Sequence, residues 1–250
     1  MGYRLFERIK GRLVPTREAE LLAPEVEKVF RQLEQLRRLG QNLVPSVEQR
    51  LRIGTIPSLG LSTLPRAIRR FQQLHPAMRY EIRVQHTTDL MESLLAQDID
   101  LGFTFNAEPH VGIGIENLGR AELVYVRRGT GKSEVRLSEI DPGAAIGLME
   151  SDPIGCLLYR KLHGENIVFS PQIEVQSYYI ACALAERGCG SAIVDAFTAQ
   201  ALKGRETSIA RIRPSISFAL TALRNELHVL PRHAEEFVKC VRLVCQTLAA

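Results

Sequence analysis

The hydrophobic positions near the start of the chain repeat in alternating steps of four and three residues. The apolar members of this repeat are Leu22, Val26, Val29, Leu33 and Leu36. Such a/d spacing predicts an amphipathic helix whose narrow apolar seam runs along one face. A helix of this kind packs on its own domain or pairs with a second copy. The narrow seam favours pairing, so we expect a homodimer or homotetramer.

The helical pattern stops at "GQNLVPSVEQ" (40–49), where Gly, Asn, Pro and Ser predict a hinge. Segment 17–49 is therefore interpreted as a linker helix followed by a hinge. From residue 50 onward, apolar runs typical of strands alternate with helical patterns: strand and turn at 51–60, strand at 79–85, helix at 87–97 and strand at 99–105. This alternation predicts an α/β domain over 50–250 with a parallel, helix-flanked sheet.

The second half of that domain repeats the plan of the first. "EIRVQHTTDLMESLLAQDIDLGFTF" and "QIEVQSYYIACALAERGCGSAIVDAF" share a strand ending in Val-Gln, a helix of about three turns and a further apolar strand. Two similar units in one chain predict two lobes with a cleft between them. We place lobe I at about 50–124 and 219–250, and lobe II at about 125–218.

Composition agrees with a globular domain. The chain has 250 residues, of which 45% are hydrophobic and 24% charged, enough to bury a large core. It contains no run of 18 uncharged apolar residues and no secretory signal pattern. We therefore expect a cytoplasmic protein with no membrane partner.

The net charge of +4 is concentrated at the N-terminus. Residues 1–16 carry Arg4, Arg8, Lys10 and Arg12 against Glu7, whereas the remainder holds 28 basic and 27 acidic residues. Phosphate backbones attract such clusters, although a charge run is also typical of a solvated surface.

Motifs typical of enzymes are missing. The sequence has no G-x-S-x-G, P-loop, H-E-x-x-H or dinucleotide G-x-G-x-x-G motif, and its five cysteines and six histidines form no metal-ligand spacing. We expect no enzyme activity, no metal and no cofactor. An α/β enzyme with a two-lobed cleft would need a catalytic Lys, Cys or metal set converging there.

Hydroxyl side chains recur where predicted strands give way to predicted helices. At this edge of an α/β sheet, helix N-termini present free N–H groups to a ligand. Each residue is also explained as a helix N-cap. Together they predict a ring of hydroxyls around the cleft: Ser58, Thr87, Thr88, Thr104, Ser151 and Ser177. Such a cleft suits a small carboxylate, and nearby acids offer partners for an ammonium group: Asp89, Glu150, Asp152 and Asp195.

"LFERIKGRLVPTREAE", the heptad helix, "LRIGTIPSLGLSTLPRAIRRFQQLHPAMRYEI" and "DIDLGFTF", in this order, resemble a LysR-type transcriptional regulator. The resemblance implies a two-lobed effector domain similar to periplasmic binding proteins, preceded by a linker helix. It also implies that 1–16 is the wing remnant of a winged helix-turn-helix head whose two DNA-reading helices are missing. Arg8, Lys10 and Arg12 would then contact DNA backbone without sequence specificity.

The same resemblance implies that the ligand is bound by Ser58, Thr87 or Thr88, Ser151, and Gln176 with Ser177. "ERIKGRLVPT" and "IEVQSYYIACAL" are most similar to the branch that senses lysine-related amino acids and opines. We therefore expect a regulator that binds a small carboxylate-bearing effector between its lobes and thereby controls its oligomeric state on DNA. The alternative is a free-standing solute-binding protein for an organic anion, which the heptad helix and the missing signal peptide oppose.

Overall fold

The computed structural model of the chain describes residues 4–42, 50–150 and 152–249. The chain divides into two compact units, Met1–Gln49 and Arg50–Ala250.

The first unit opens with an antiparallel hairpin of β1 (Phe6–Ile9) and β2 (Arg12–Pro15). Lys10 and Gly11 connect the strands with φ angles of 52° and 80°. Two consecutive positive φ values define a type I′ turn, whose twist matches that of the paired strands. The hairpin side chains are exposed, including those of the three basic residues predicted to contact DNA.

Helix α1 (Arg17–Asn42) follows the hairpin directly, where the linker helix was predicted. Thr16 caps it, since its Oγ1 atom accepts a hydrogen bond from the Ala19 N–H at 3.3 Å. Leu22 is half-buried, whereas the other members of the predicted seam are exposed by 41% to 68%: Val26, Val29, Leu33 and Leu36. The predicted hinge (40–49) begins too early, because α1 continues to Asn42, and its remaining residues 43–49 lie outside the described residues.

The second unit is an α/β domain. Its strands are β3 (Arg50–Thr55), β4 (Arg79–Val84), β5 (Leu101–Phe105), β6 (Ile113–Arg128), β7 (Glu134–Arg136), β8 (Ala145–Leu148), β9 (Ile173–Val175), β10 (Ser191–Asp195), β11 (Thr207–Arg213) and β12 (Ser217–Asn225). Its helices are α2 (Pro57–Leu61), α3 (Thr63–Leu74), α4 (Thr87–Leu95), α5 (Pro153–Gly164), α6 (Tyr178–Glu186), α7 (Ala196–Ala201) and α8 (Arg232–Ala249), with a 3-10 turn at Leu137–Glu139.

The long strand β6 joins two lobes. Its residues 113–122 pair with β12, in the sheet order β4-β3-β5-β12-β6, and its residues 123–128 pair with β10 and β11. The first lobe thus holds β3 to β5 with α2 to α4 and α8. The second holds β7 to β11 with α5 to α7. The two-lobed α/β fold predicted from the sequence is confirmed, while the proposed residue limits of each lobe stay a prediction.

The sheet is mixed rather than parallel throughout. Strand β3 is parallel to β4 and β5, and β8 is parallel to β9 and β10, as expected. Strands β6 and β12 run antiparallel to their neighbours because they carry the chain from one lobe to the other and back. Sequence patterning missed β6, β7, β11 and α7.

Aromatic packing fixes α8 onto the first lobe. The Phe237 ring meets Phe71 of α3 edge-on at 5.2 Å between centroids and Phe103 of β5 at 6.0 Å. All three side chains are buried, and contacts of this geometry add to the stabilisation from burial. This core holds the carboxyl ends of β3 and β5 at the edge that faces the second lobe.

Candidate ligand-binding site

A cavity of about 500 Å³ lies between the two lobes. Its lining follows the carboxyl ends of parallel strands in both lobes, the edge at which open α/β sheets bind ligands. The first lobe contributes Ile56, Pro57, His86, Thr87, Thr88, Thr104 and Phe105. The second lobe contributes Asp152, Pro153, Ile154, Gln176, Ser177, Tyr178, Tyr179 and Ile180.

The first lobe presents hydroxyl groups beside an open helix start. The Thr87 and Thr104 Oγ1 atoms lie 2.6 Å apart and share a hydrogen bond, and Thr88 is exposed. Helix α4 begins after His86, whose side chain makes no capping hydrogen bond. The first N–H groups of α4 therefore remain available, with the partial positive charge of a helix N-terminus.

The second lobe presents another open helix start, at α6. Ser177 occupies the N-cap position, yet its hydroxyl makes no capping hydrogen bond. Its Oγ atom is buried and has no hydrogen-bond partner within the described part of the chain. Burying a hydroxyl without a partner costs about 1–3 kcal/mol. A polar group on a ligand would remove that cost.

The third helix start at the cavity, that of α5, is closed by its own cap. The Asp152 Oδ1 atom accepts hydrogen bonds from the N–H groups of Ile154 at 2.9 Å and Gly155 at 3.2 Å. Glycine is required at the latter position, because a Cβ atom there would lie 2.2 Å from the Met149 carbonyl oxygen. The close approach of α5 to the end of β8 places the Asp152 carboxylate at the cavity.

Tyr178, the first residue of α6, also holds this carboxylate. Its hydroxyl donates a hydrogen bond to the Asp152 Oδ1 atom. Burial, followed by the charge of Asp152, raises the pKa of Tyr178 well above its usual value of 10.0. The phenol therefore stays protonated and acts as a donor across the physiological pH range.

A buried hydrogen bond joins the lobes behind the cavity. The Ser58 hydroxyl, at the start of α2, donates to the Asp195 Oδ2 atom at 3.0 Å. The Asp195 Oδ1 atom accepts from the Thr198 N–H at 2.8 Å, so this carboxylate also caps α7. Asp195 is 0% and Ser58 2% exposed. Burial raises the pKa of Asp195 above its usual 3.8, although its hydrogen bonds oppose that shift.

A second groove, of about 590 Å³, lies beside α3 and β4. Its lining is almost entirely apolar, with the Leu64, Ile68, Ile82 and Val84 side chains among the main contributors. It is larger than the interlobe cavity, but it lies almost entirely on the first lobe, with Tyr179 as the one lining residue from the second lobe. We therefore take the interlobe cavity as the candidate ligand site.

The sequence matches the family model of the LysR substrate binding domain over residues 46–246, most of the chain. The chain belongs to the LysR family of transcriptional regulators. It is 30% identical over 249 residues to the HTH-type transcriptional regulator DgcR of Pseudoalteromonas sp., a match that covers 96% of this chain and 86% of DgcR. It is 25% identical over 228 residues to the transcriptional activator LysR of Escherichia coli, covering 90% and 73%.

Solved LysR-family structures share this fold. CbnR in complex with its target DNA superimposes with a TM-score of 0.73 at 19% identity, covering 97% of this chain and 85% of CbnR. The effector binding domain of BenM with its effector benzoate gives a TM-score of 0.69 at 22% identity, covering 81% and 94%.

Most of the predicted ligand residues lie together in this LysR-family domain. Thr87, Thr88, Thr104, Gln176 and Ser177 all line the interlobe cavity. The structure places the Ser58 hydroxyl elsewhere, on the buried Asp195 carboxylate. Ser151 lies outside the described residues.

Of the four acids predicted near the cleft, only Asp152 lines the cavity. Asp89 and Glu150 are exposed and outside its lining. Sequence reasoning missed His86 and Tyr178, although both adjoin predicted hydroxyl positions.

The described residues contain no cluster of three His, Cys, Asp or Glu side chains able to hold a metal ion. Within the same residues, no helix has the length and apolar character needed to cross a membrane.

Proposed function

We propose that this LysR-family regulator binds a small carboxylate-bearing effector, an amino acid or a derivative, in the interlobe cavity. Binding would control the oligomeric state of the protein on DNA. The observation that carries the proposal is a cavity walled by both lobes in which two helix N-termini, those of α4 and α6, lack side-chain caps.

The charge of the lining supports a carboxylate held by backbone N–H groups. Among the residues that line the cavity, none is Lys or Arg. Helix N-termini combine unpaired N–H groups with positive partial charge and bind anions without a cationic side chain. The cavity volume of about 500 Å³ is ordinary for a small-molecule site. BenM, a protein of the same fold, binds benzoate, which is itself a carboxylate.

The proposed contacts are divided between the lobes. Thr87, Thr88 and Thr104 belong to the first lobe, and Gln176 and Ser177 to the second. A ligand that contacts both walls stabilises the lobe arrangement in which the two walls are correctly spaced. Its differential affinity for that arrangement is what shifts the equilibrium between conformers. Ser58 acts in this proposal through Asp195, by fixing the position of α2, and Ser151 stays a predicted contact.

The first unit supplies the proposed partners. The α1 seam would pair with a second copy of the chain, because it presents exposed apolar side chains along one helical face: Val26, Val29, Leu33 and Leu36. Arg8, Lys10 and Arg12 on the exposed hairpin would contact DNA phosphates.

A ligand screen by thermal shift, followed by isothermal titration calorimetry, tests the effector site. The screen should contain amino acids of both hands, 2-hydroxy acids, dicarboxylates and benzoate. A true ligand at a hundred times its dissociation constant stabilises the fold by about 2.7 kcal/mol. Thr88→Val and Ser177→Ala should each weaken binding by roughly tenfold, as expected for a lost hydrogen bond to a charged group.

Two surface substitutions provide matched controls. Thr130→Val and Ser170→Ala make the same two types of substitution at exposed positions outside the cavity and should leave the affinity unchanged. Binding that neither Thr88→Val nor Ser177→Ala weakens would refute the placement of the site. A screen in which no carboxylate stabilises the protein would refute the proposed ligand class.

A further inference from the structure

We propose that the effector of this protein carries a cationic nitrogen group that binds the Asp152 Oδ2 atom, so the ligand is a zwitterionic amino acid rather than a simple carboxylate. The inference rests on the proposed function and narrows it. It assigns Asp152 to the cationic nitrogen of the ligand and leaves the helix starts of α4 and α6 to its carboxylate.

The two oxygen atoms of Asp152 have unequal surroundings. Oδ1 accepts three hydrogen bonds, from the N–H groups of Ile154 and Gly155 and from the Tyr178 hydroxyl. Oδ2 accepts none from any residue that the structure describes. A carboxylate has about four acceptor positions on its two oxygens and needs donors when it is partly buried. Asp152 is half-buried and lines the cavity, so a ligand can supply the missing donor.

The charges around the cavity favour a positive donor there. Among the described residues that line the cavity, Asp152 supplies the one carboxylate and His86 the one imidazole, and none is Lys or Arg. A ligand with only carboxylate groups would add negative charge beside Asp152 with no side-chain cation opposing it. An ammonium group reverses the sign of that interaction and forms a charge-assisted hydrogen bond.

The three helix starts differ in the backbone donors that they leave for a ligand. Asp152 already satisfies the first N–H groups of α5, so that helix has no donor left for a ligand carboxylate. The starts of α4 and α6 have no such cap and keep their donors. A ligand that places its carboxylate at α4 or α6 and its nitrogen at Asp152 meets complementary charge at both ends.

Tyr178 makes this arrangement rigid. Its hydroxyl and the α5 backbone hold Oδ1 from different sides, which fixes the direction of Oδ2 before any ligand arrives. Preorganised acceptors lose little entropy on binding and discriminate well between ligands. The site should therefore distinguish an amino group from a hydroxyl group on the same carbon skeleton.

The test compares matched pairs of acids by isothermal titration calorimetry on the full chain. Suitable probes are both enantiomers of alanine, glutamate, lysine and arginine, each against its 2-hydroxy acid of the same skeleton. In the best-binding pair, we expect the amino acid to bind at least tenfold more tightly than the hydroxy acid. A hydroxy acid or dicarboxylate that binds as tightly as the best amino acid overturns the inference.

Asp152→Asn tests the residue itself. Asparagine is also a good N-cap and keeps an oxygen for the α5 N–H groups and for Tyr178, so the fold is preserved. The variant should lose roughly 10- to 100-fold in affinity for the amino acid and stay within threefold of wild type for the hydroxy acid. Asp152→Ser, another capping residue without charge, should behave in the same way.

Asp141→Asn is the matched control. Asp141 is exposed in the same lobe and its carboxylate also accepts a backbone N–H, that of Gly143 at 3.0 Å. Its substitution should leave both affinities unchanged. A folded Asp152→Asn protein with wild-type amino-acid affinity overturns the inference. If hydroxy acids bind equally well and still depend on Thr88 and Ser177, the proposed function stands and only the cation site fails. If no acid of either series binds, both fail.

Discussion

Ser58→Ala removes the hydrogen bond that the Ser58 hydroxyl of the first lobe donates to the Asp195 carboxylate of the second lobe. This carboxylate is fully buried. In the wild type, Asp195 receives two donors, the Ser58 hydroxyl and the Thr198 N–H. The variant leaves Oδ2 without a donor in a site that is 0% exposed, where water does not replace it. The substitution should therefore destabilise the folded state and lower the free energy of unfolding.

The expected cost follows from the charge of the acceptor. A hydrogen bond to an ionised group is worth about 1.5–3 kcal/mol. For a domain of 150–250 residues, each 1 kcal/mol shifts the melting temperature by about 2–4 °C. Ser58→Ala should therefore lower the melting temperature by about 3–12 °C at a pH where Asp195 is ionised. Because the bond favours the charged form of Asp195, the loss should be greater at pH 8 than at pH 5.

A double-mutant cycle assigns the loss to this pair. Chemical unfolding of the wild type, Ser58→Ala, Asp195→Asn and the double variant should give a coupling energy above about 1 kcal/mol. Ser93→Ala is the control, since Ser93 is equally a buried serine of the first lobe but accepts from the neutral Gln85 side chain. Its effect should add to that of Asp195→Asn. A Ser58→Ala effect below about 0.5 kcal/mol, or additivity with Asp195→Asn, would refute the reasoning.

Three further predictions concern pH, assembly and DNA. The folded-state pKa of Asp195 is raised above 3.8, so its protonated form adds to the free energy of unfolding. This contribution should be full below pH 3.8 and should be lost as the pH rises through the raised pKa. Asp195→Asn should flatten this part of the pH profile of stability measured by urea unfolding. Leu33→Glu places a charge in the exposed α1 seam and should lower the mass measured by light scattering, and a wild type that is monomeric at micromolar concentration contradicts the seam. Arg12→Ala should weaken binding to two unrelated duplexes equally and reduce the dependence on salt, so selective loss on one duplex argues against phosphate contact.

The position of the candidate site could be predicted from local sequence, because strand ends and helix starts are local features. A hydroxyl residue after an apolar run marks both, as at Thr87 and Ser177. The alternation of strands and helices also places these turns at one edge of a sheet, so their convergence follows from the fold class. Thr87 and Ser177 accordingly line the same cavity although they belong to different lobes.

The missed strands lack such local signals. Strand β6 contains Gly114 and Gly119 and several charged residues, because it passes between lobes and is buried on only part of its length. Helix α7 has six residues, too few to establish a helical period, and it follows β10 without a break. Whether these segments form a strand or a helix depends on contacts with residues that are distant in the chain.

Asp152 and Asp195 illustrate the same limit at the level of single residues. Asp195 ends β10 and Asp152 follows β8, and each caps the helix after it, so their local patterns are similar. They differ in what approaches the second carboxylate oxygen. Ser58, 137 positions away from Asp195, occupies that oxygen and buries the group between the lobes. No described residue donates to the Oδ2 atom of Asp152, so this oxygen remains open to the proposed ligand whereas Asp195 links the two lobes.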